Sequence, residues 1–258
     1  MIDRIALVSD FGPGGPYVGQ MKLRLSELAP QVATVDLVSD LAPFRPDLAA
    51  YFIPALARDM PERTLYLCVV DPGVGGERAA LAVLADGDWY VGPDNGLLAL
   101  VARRAKHIQV LRVDWRPKRL SDSFHGRDLF APVGAMLCGG EVPACTEIEV
   151  DQMVGSDWPN ELMRLIYTDP YGNLATGLNG SSLMRNRVLY AGGRELRFAR
   201  TYSEVPPGQA FWYENSFGLA ELVVNRGRAD ALLGLRTGDA IGISDEMPTH
   251  SGGADRGG

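Results

Sequence analysis

Two short segments about fifty residues apart carry the side chains of this chain best suited to activating water. The first runs from Asp71 to Arg78 as Asp-Pro-Gly-Val-Gly-Gly-Glu-Arg, and the second is Ser-Phe-His-Gly-Arg-Asp, centred on His125. Of the three histidines, one lies beside a strand-like run and one in a polar tail, so His125 is the one best placed for chemistry. An imidazole that titrates near neutral pH, beside a carboxylate and a guanidinium, is a means of activating water.

The N-terminal part of the chain is predicted to alternate strands and helices, and these elements hold the residues of both segments in place. Apolar runs predict strands, helical spacing predicts helices, and one long run predicts a strand pair. This alternation predicts an α/β domain with a mostly parallel sheet over residues 1–150. The strands are 5–8, 32–38, 64–70 and 108–113, the strand pair is 81–91, and the helices are 17–28, 46–59, 95–105 and 128–138.

The pattern changes between residues 139 and 158. Beyond it come short β-rich runs separated by Gly, Asn and Pro turns, at 162–168, 187–190, 195–198, 209–214, 220–224 and 240–243. Such runs are typical of a small antiparallel barrel or sandwich, and we assign a β-barrel domain to residues 158–245. Residues 246–258 are rich in Gly and polar side chains, which predicts a disordered tail.

Composition narrows the class of partner. The 258 residues carry a formal net charge of -7, with a pI near 5.0. This acidity argues against a nucleic-acid or anionic-membrane surface, so a small molecule is the expected partner. The start of the chain has no signal-peptide pattern, and no stretch reaches the roughly 18 apolar residues of a membrane helix. These features predict a cytoplasmic protein.

Three carboxylates are predicted to share one edge of the parallel sheet. Asp10, Asp71 and Asp94 each follow a predicted strand, two of them within glycine-dense loops. Ligands of open parallel sheets bind beyond the carboxyl ends of the strands, which favours a site at this edge. Each of these residues is equally compatible with a helix cap or a turn.

Six motifs in register extend this interpretation from residue 5 to residue 243. They are Ser9-Asp10-Phe11-Gly12, Tyr17-Val18-Gly19-Gln20-Met21-Lys22, Val69-Val70-Asp71-Pro72-Gly73-Val74-Gly75, Gly92-Pro93-Asp94-Asn95-Gly96, Phe124-His125-Gly126-Arg127-Asp128 and Ser216-Phe217-Gly218. Together they resemble the S-adenosylmethionine hydroxide adenosyltransferase family, which is related to the fluorinase and the chlorinase.

The resemblance implies a fold, an assembly and a reaction. The fold is an N-terminal α/β domain with a C-terminal β-barrel domain, and the assembly is a homotrimer with active sites between neighbouring subunits. The reaction converts S-adenosylmethionine and water to adenosine and methionine, with no cofactor. The residues implied to act on the water fall on Asp71, Arg78 and His125. Since the halogenating relatives have a Tyr and a small residue in place of the His-Gly pair, His125 favours water over halide as the nucleophile.

The resemblance also implies substrate contacts. Asp10 corresponds to the carboxylate that holds the ribose hydroxyls, and Phe44 to an aromatic residue beside the nucleoside. The residues expected to receive the methionine and adenosine ends are Asp169, Asn173, Ser216 and Glu221, with the strand from Val224 to Arg226 along the adenine edge. Asp94 completes the predicted set, although Asn173 and Ser216 are also ordinary turn residues.

One departure from the family concerns the amino-acid end of the substrate. Gly15 stands where the family usually has a second Asp in its first loop. The family Asp is expected near the methionine portion of the ligand. The chain is therefore predicted to hold that portion differently, and it is a candidate for acting on the sulfur epimer of S-adenosylmethionine.

Three other functions remain as alternatives. A metal-dependent hydrolase would need its ligands from Asp10, Asp71, Asp94, His125 and Asp128, a poor set with a single His, so no metal is expected. A halide-using adenosyltransferase is chemically close to a hydrolase. A protein that binds adenosine or S-adenosylmethionine without turnover is the third.

Overall fold

A computed structural model describes residues 2–245, and the chain divides between Leu162 and Met163 into two units. The disordered tail predicted over residues 246–258 lies outside the described residues. None of the helices found in residues 2–245 has the length and apolar character needed to cross a membrane.

The first unit alternates strands and helices, as predicted. A π-helical turn, Gly126–Phe130, precedes the last helix, and we call it the π-turn. The elements are β1 (Arg4–Ser9), α1 (Pro16–Leu28), β2 (Ala33–Val38), α2 (Pro46–Ala57), β3 (Thr64–Val69), β4 (Ala80–Ala85), β5 (Asp88–Pro93), α3 (Ala99–Arg104), β6 (Ile108–Val113), α4 (Ala131–Cys138) and β7 (Cys145–Ile148).

These strands form one seven-stranded sheet in the order β2-β1-β3-β5-β4-β6-β7. Strands β2, β1, β3 and β5 are parallel, whereas β4 and β7 are antiparallel to their neighbours, so five of the seven strands share one direction. The mostly parallel sheet is therefore confirmed. The β4–β5 reversal is a two-residue turn in which Asp86 and Gly87 both have positive φ, 50° and 98°, as tight hairpins require.

Burial in the first unit follows from the central position of β1 and β3. Every residue of β3 is buried, and apolar side chains of both strands pack with α1 and α4 around Leu25 and Phe130. Helix α2 packs with α3. Strand β2 is an edge strand whose residues are exposed or half-buried, because it has a neighbour on one side. The buried centre of the sheet thus places the ends of β1 and β3 side by side.

The second unit is built mainly of antiparallel strands. Two sheets form, in the orders β12-β13-β9-β8 and β11-β10-β14, around a core that contains the fully buried Trp212. The antiparallel character is as predicted, and the closed barrel stays a prediction. The elements are β8 (Leu162–Thr168), β9 (Leu174–Asn179), β10 (Arg187–Ala191), β11 (Arg194–Leu196), β12 (Ala210–Glu214), β13 (Leu219–Val224), α5 (Ala229–Leu233) and β14 (Gly242–Asp245).

Candidate active site

A cavity of about 300 Å³ lies in the first unit at the carboxyl ends of β1 and β3. Because these strands are parallel neighbours, the residues that follow them, Asp10 and Asp71, reach the same edge of the sheet. The segment before the π-turn adds His125. The other lining residues are Phe11, Tyr17, Pro43, Phe44, Val69, Val74, Ser123, Phe124 and Gly126.

Arg78 joins the two segments that carry the predicted catalytic residues. Its Nε lies 3.0 Å from Oδ1 of Asp71, and its Nη2 donates to Oδ2 of the same carboxylate. The same Nη2 lies 2.7 Å from Nδ1 of His125. The side chains of Asp71 and Arg78 are only 4% and 11% exposed, so water screens this pair weakly.

The contact with Arg78 decides which nitrogen of His125 carries the proton. A guanidinium has donors and no acceptor, so Nδ1 must accept and the ring proton of the neutral imidazole is on Nε2. Burial lowers the pKa of His125, and the nearby Arg78 charge lowers it further. His125 is therefore neutral at pH 7, with an Nε2–H donor and no free acceptor while the Arg78 contact holds.

Two features bring the catalytic segments together. Gly75 has a φ of 79°, and a Cβ on it would lie 2.3 Å from the backbone oxygen of Asp122, so only glycine permits this approach. The Asn95 side chain donates to the Val70 carbonyl at 2.9 Å and so fixes the residue before Asp71. We did not predict Asn95 as a site residue, although its motif was visible in the sequence.

Asp10 is tied to the backbone of Phe44. The Phe44 N–H donates to Oδ2 of Asp10 at 2.9 Å, and Phe44 has a φ of 62°, a strained conformation for an aromatic residue. Such backbone strain costs on the order of 1–3 kcal/mol and is typical of functional sites. Phe44 is 72% exposed and lines the cavity, where its ring is available to a ligand. Burial raises the pKa of Asp10, while the Phe44 N–H opposes that rise.

Asp94, the third predicted carboxylate, does not line the cavity. Its Oδ1 accepts from the Val154 N–H at 3.0 Å, which gives it a partner within the first unit. Burial raises its pKa. The sequence placed Asp94 correctly after β5, but a strand end alone does not fix where a side chain points.

A second pocket, of about 680 Å³, lies in the second unit. It is lined by all six residues that the sequence assigned to this half of the site, namely Asp169, Asn173, Ser216, Glu221, Val224 and Arg226. Tyrosines 167, 171, 202 and 213 also line it, and sequence analysis missed them. Tyr171 lies between Asp169 and Asn173 in the sequence, whereas Tyr167, Tyr202 and Tyr213 belong to no motif.

Glu221 is the buried polar centre of this pocket. Tyr213 donates its hydroxyl to Oε2 at 2.8 Å, and Asn215 donates its amide nitrogen to Oε1 at 2.9 Å. The Asn215 oxygen in turn accepts from the backbone N–H groups of Phe217 and Leu219, which holds the turn that contains Ser216. Burial raises the pKa of Glu221, while the hydrogen bonds from Asn215 and Tyr213 oppose that rise.

Asp169 and Asn173 close the hairpin between β8 and β9. The Asp169 carboxylate accepts from both the backbone and the side-chain nitrogen of Asn173, at 2.8 and 2.9 Å. Gly172 has a φ of 85° within this loop. The pair therefore serves as turn residues and lines the pocket at the same time, so the two interpretations of Asn173 are compatible.

Gly15 is the residue before α1, and the helix has no side-chain cap there. A Cβ at this position would lie 3.2 Å from the Phe11 backbone oxygen and 3.4 Å from the Tyr17 ring. A side chain at position 15 would thus require the Phe11 backbone to shift. Within residues 2–245 no three His, Cys, Asp or Glu side chains are grouped so that they could hold a metal ion.

Comparison with known proteins places the chain among relatives over nearly its whole length. A protein of Thermus thermophilus named (R)-S-adenosyl-L-methionine hydrolase is 38% identical over 91% of this chain and 96% of that protein. One of the same name from Salinispora arenicola is 33% identical over 93% of this chain and 97% of that protein. Proteins named fluorinase match less, at 25–26% identity over 53% of the chain.

The fold and the domain models agree with these matches. The crystal structure of an uncharacterized conserved protein from Thermotoga maritima matches with a TM-score of 0.80 at 27% identity, covering 93% of this chain and 99% of that chain. The N-terminal domain model of the SAM hydroxide adenosyltransferases, where SAM is S-adenosylmethionine, matches residues 5–147, and their C-terminal domain model matches residues 163–242. The chain belongs to the SAM hydroxide adenosyltransferase family.

Proposed function

We propose that this protein hydrolyses S-adenosylmethionine to adenosine and methionine by attack of water at C5′, and that it prefers the R configuration at sulfur. The observation that carries the proposal is the contact between Asp71, Arg78 and His125 at the cavity of the first unit. Relatives at 33–38% identity that are named (R)-S-adenosyl-L-methionine hydrolase support the substrate and its configuration.

The reaction asks little of the protein. Attack at C5′ breaks the bond to sulfur and releases a neutral thioether, so the leaving group needs no proton. The site must hold a water in line with the C5′–sulfur bond and accept a proton from it. As the C–O bond forms, the water protons become strongly acidic, so a weak base is sufficient.

We assign the proton to Asp71. His125 cannot accept at Nδ1 while Arg78 donates to it, and Nε2 already carries the ring proton. The Asp71 carboxylate lines the cavity and keeps lone pairs beyond those that accept from Arg78. His125 then orients the water through Nε2–H, and Arg78 fixes both partners.

The substrate contacts follow from the lining of the two cavities. Asp10 accepts from the ribose hydroxyls, a role suited to its acceptor oxygens, and the exposed ring of Phe44 stacks on the nucleoside. The pocket of the second unit receives the methionine and adenine ends, with Asp169, Asn173, Ser216 and Glu221 on the polar side. Val224 and Arg226 line the adenine edge. Asp94 acts indirectly, through the backbone it holds at Val154.

Product analysis with the two sulfur epimers tests the proposal. Purified protein is incubated separately with the R and S forms of S-adenosylmethionine, and adenosine and methionine are separated by chromatography. We expect both products in equal amounts, faster from the R form. Tight binding of adenosine without turnover of either form would instead support a binding protein.

A halide-using adenosyltransferase is the second candidate, and excess chloride distinguishes it. We expect adenosine as the sole nucleoside product, because the imidazole and carboxylate that line the cavity suit a water molecule better than an anion. Formation of a 5′-chloronucleoside would overturn this assignment.

We propose further that the second unit closes into a barrel. Backbone hydrogen bonds join Leu165 of β8 to Gly238 and Asp239, just before β14. At the other edges, Trp212 of β12 bonds to Arg197 and Ala199, just after β11. These bonds join the outer strands β8 and β12 to the segments beside β14 and β11, which supports a closed order.

The assembly and the domain limits complete the proposal. The chain forms a homotrimer with active sites between neighbouring subunits, as the resemblance implies, and light scattering after gel filtration measures its mass.

Residues 1–150 form the domain that activates water, and residues 158–245 form the barrel domain. The cytoplasmic location stays a prediction.

A further inference from the structure

The guanidinium of Arg78 is contacted on its face as well as on its edge. Asp71 and His125 accept hydrogen bonds from its N–H groups. The ring of Phe130 lies against its face, with the guanidinium carbon 5.2 Å from the ring centroid. Phe130 is fully buried in the core of the first unit. A buried aromatic face is the strongest setting for attraction between a ring and a cation.

The π-turn explains how one stretch of chain supplies two of these contacts. His125 and Phe130 are five residues apart, and in a regular α-helix such residues point about 140° away from each other. Here the Ala131 N–H bonds to the Gly126 carbonyl, five residues back, so the turn holds one residue more than an α-helical turn. The wider turn rotates Phe130 back towards the side of His125, so both side chains meet Arg78.

Packing keeps the wider turn in place. A Cβ on Gly126 would lie 3.1 Å from Sδ of Met21 in α1 and 3.2 Å from the Phe124 ring, so the turn sits tightly against its neighbours. Asp128, within the turn, accepts from the Ser121 N–H at 3.1 Å and thereby ties the turn to the segment before His125.

We propose that Phe130, presented by the π-turn, is a positioning residue that fixes the plane of the Arg78 guanidinium so that one edge reaches both Asp71 and His125. The expected effect of Phe130 on the reaction rate rests on the proposed hydrolysis, whereas its effect on the position of Arg78 does not. An arginine side chain has several rotatable bonds, and its two edge contacts alone allow the plane to tilt about them. The ring removes that freedom without touching the substrate.

Histidine NMR titration of the full chain tests the geometry without relying on turnover. The charged groups facing His125 are Arg78, Asp71, Arg116 and Asp128. In Phe130→Leu and Phe130→Met the loosened Arg78 should depress the pKa of His125 less, so this pKa moves up towards its ordinary 6.5. Loss of one signal in His125→Asn assigns the resonance. Phe52→Leu, at an equally buried ring in α2, is the matched control and should leave the titration unchanged.

Kinetics on the R epimer provide the second measurement. We expect kcat to fall about tenfold or more in both Phe130 variants, with KM nearly unchanged, because Phe130 aligns the site and binds nothing. A His125 titration that matches the unmodified protein in both Phe130 variants would overturn the proposal, as would an equal loss of kcat in Phe52→Leu. If the unmodified protein releases no adenosine but the titration shifts as expected, the hydrolase assignment fails and the role of Phe130 stands.

Discussion

Asp71 in the first unit and Glu221 in the second are both buried carboxylates, yet their partners are of opposite kinds. Asp71 faces a permanent cation, because Arg78 donates to both of its oxygens. Glu221 is held by a tyrosine hydroxyl and an asparagine amide, which are neutral. Burial raises the pKa of Glu221.

The difference indicates two tasks. A carboxylate paired with a guanidinium has its charge balanced within the protein, so it is fixed in place and ready to act on a neutral water. A buried carboxylate with neutral donors leaves its charge unbalanced, and a cationic or hydrogen-bond-donating ligand group is then favoured beside it. We interpret the first cavity as the place of chemistry and the second as a place of binding, and the predictions below are chosen to separate the two.

Removing the charge of Asp71 should have the largest effect. Asp71→Asn keeps the shape but weakens the pairing with Arg78 and removes the proposed proton acceptor, so kcat on the R epimer should fall by about 10²- to 10⁴-fold. Asp94→Asn is the matched comparison and should lose less kcat, because that carboxylate does not line the cavity and an Asn oxygen can still accept from the Val154 backbone. Steady-state kinetics measure both. Equal losses of kcat in the two variants would mean that Asp71 is not the proton acceptor.

Replacing His125 separates a base from a donor. His125→Ala should lower kcat by about 10²-fold, since it removes both the contact to Arg78 and the group facing the water. His125→Asn offers an oxygen to Arg78 and an N–H to the water but no basic nitrogen, so it should recover a large part of that loss. If Asn proves as inactive as Ala while Asp71→Asn keeps most of the activity, the imidazole is the base and the assignment to Asp71 is wrong.

Much of the first unit was predictable because its strands are buried and its turns are local. The strand pair at 81–91 appears as β4 and β5 around the Asp86–Gly87 turn, and β6 has the predicted bounds. The helix expected over 128–138 begins as the π-turn. The wider turn depends on the packing of Gly126 against Met21 and Phe124, and helix propensity does not predict it. Strand β9, which follows a predicted hairpin residue, was missed because its residues are nearly all buried and do not alternate.

Site residues divide in the same way. Asp10 and Asp71 were predicted from the strand ends that they follow, and both line the cavity of the first unit. Asn173 was predicted from the family resemblance, and it lines the pocket of the second unit. Tyr213 was missed because its hydrogen bond to Glu221 depends on how β12 and β13 pair. Phe130 was missed because its contact with Arg78 depends on a partner distant in sequence and on a local change of helix type. Asp94 shows the converse, a residue at the predicted strand end whose side chain bonds elsewhere.

The pH dependence of activity should follow His125. Burial and Arg78 lower its pKa, so the acid limb of the profile of kcat/KM against pH should lie below the ordinary value of 6.5. His125 has a higher pKa in the unfolded chain than in the folded protein, so the unfolded chain binds more protons. The free energy of unfolding should therefore also fall as pH drops below about 6.5. Profiles of the unmodified protein and of His125→Asn measure the effect. A limb that persists unchanged in His125→Asn belongs to another group.

Removing one of the two neutral hydrogen-bond donors to Glu221 should have the smallest effect on activity, and it should change substrate binding rather than kcat. Tyr213→Phe removes the donor to Oε2, and a buried acceptor left with fewer partners costs about 1–3 kcal/mol, or about 2–4 °C of Tm per kcal/mol. Tyr190→Phe is the control, because its hydroxyl donates to Glu195 at 3.3 Å and accepts from Ser244 at 3.2 Å, both at exposed positions. We expect a lower Tm and a higher KM in Tyr213→Phe with kcat nearly unchanged, measured by thermal unfolding and steady-state kinetics. A fall in kcat comparable to that of Asp71→Asn would show that the second pocket takes part in the chemical step, and the separation of the two carboxylates by task would not hold.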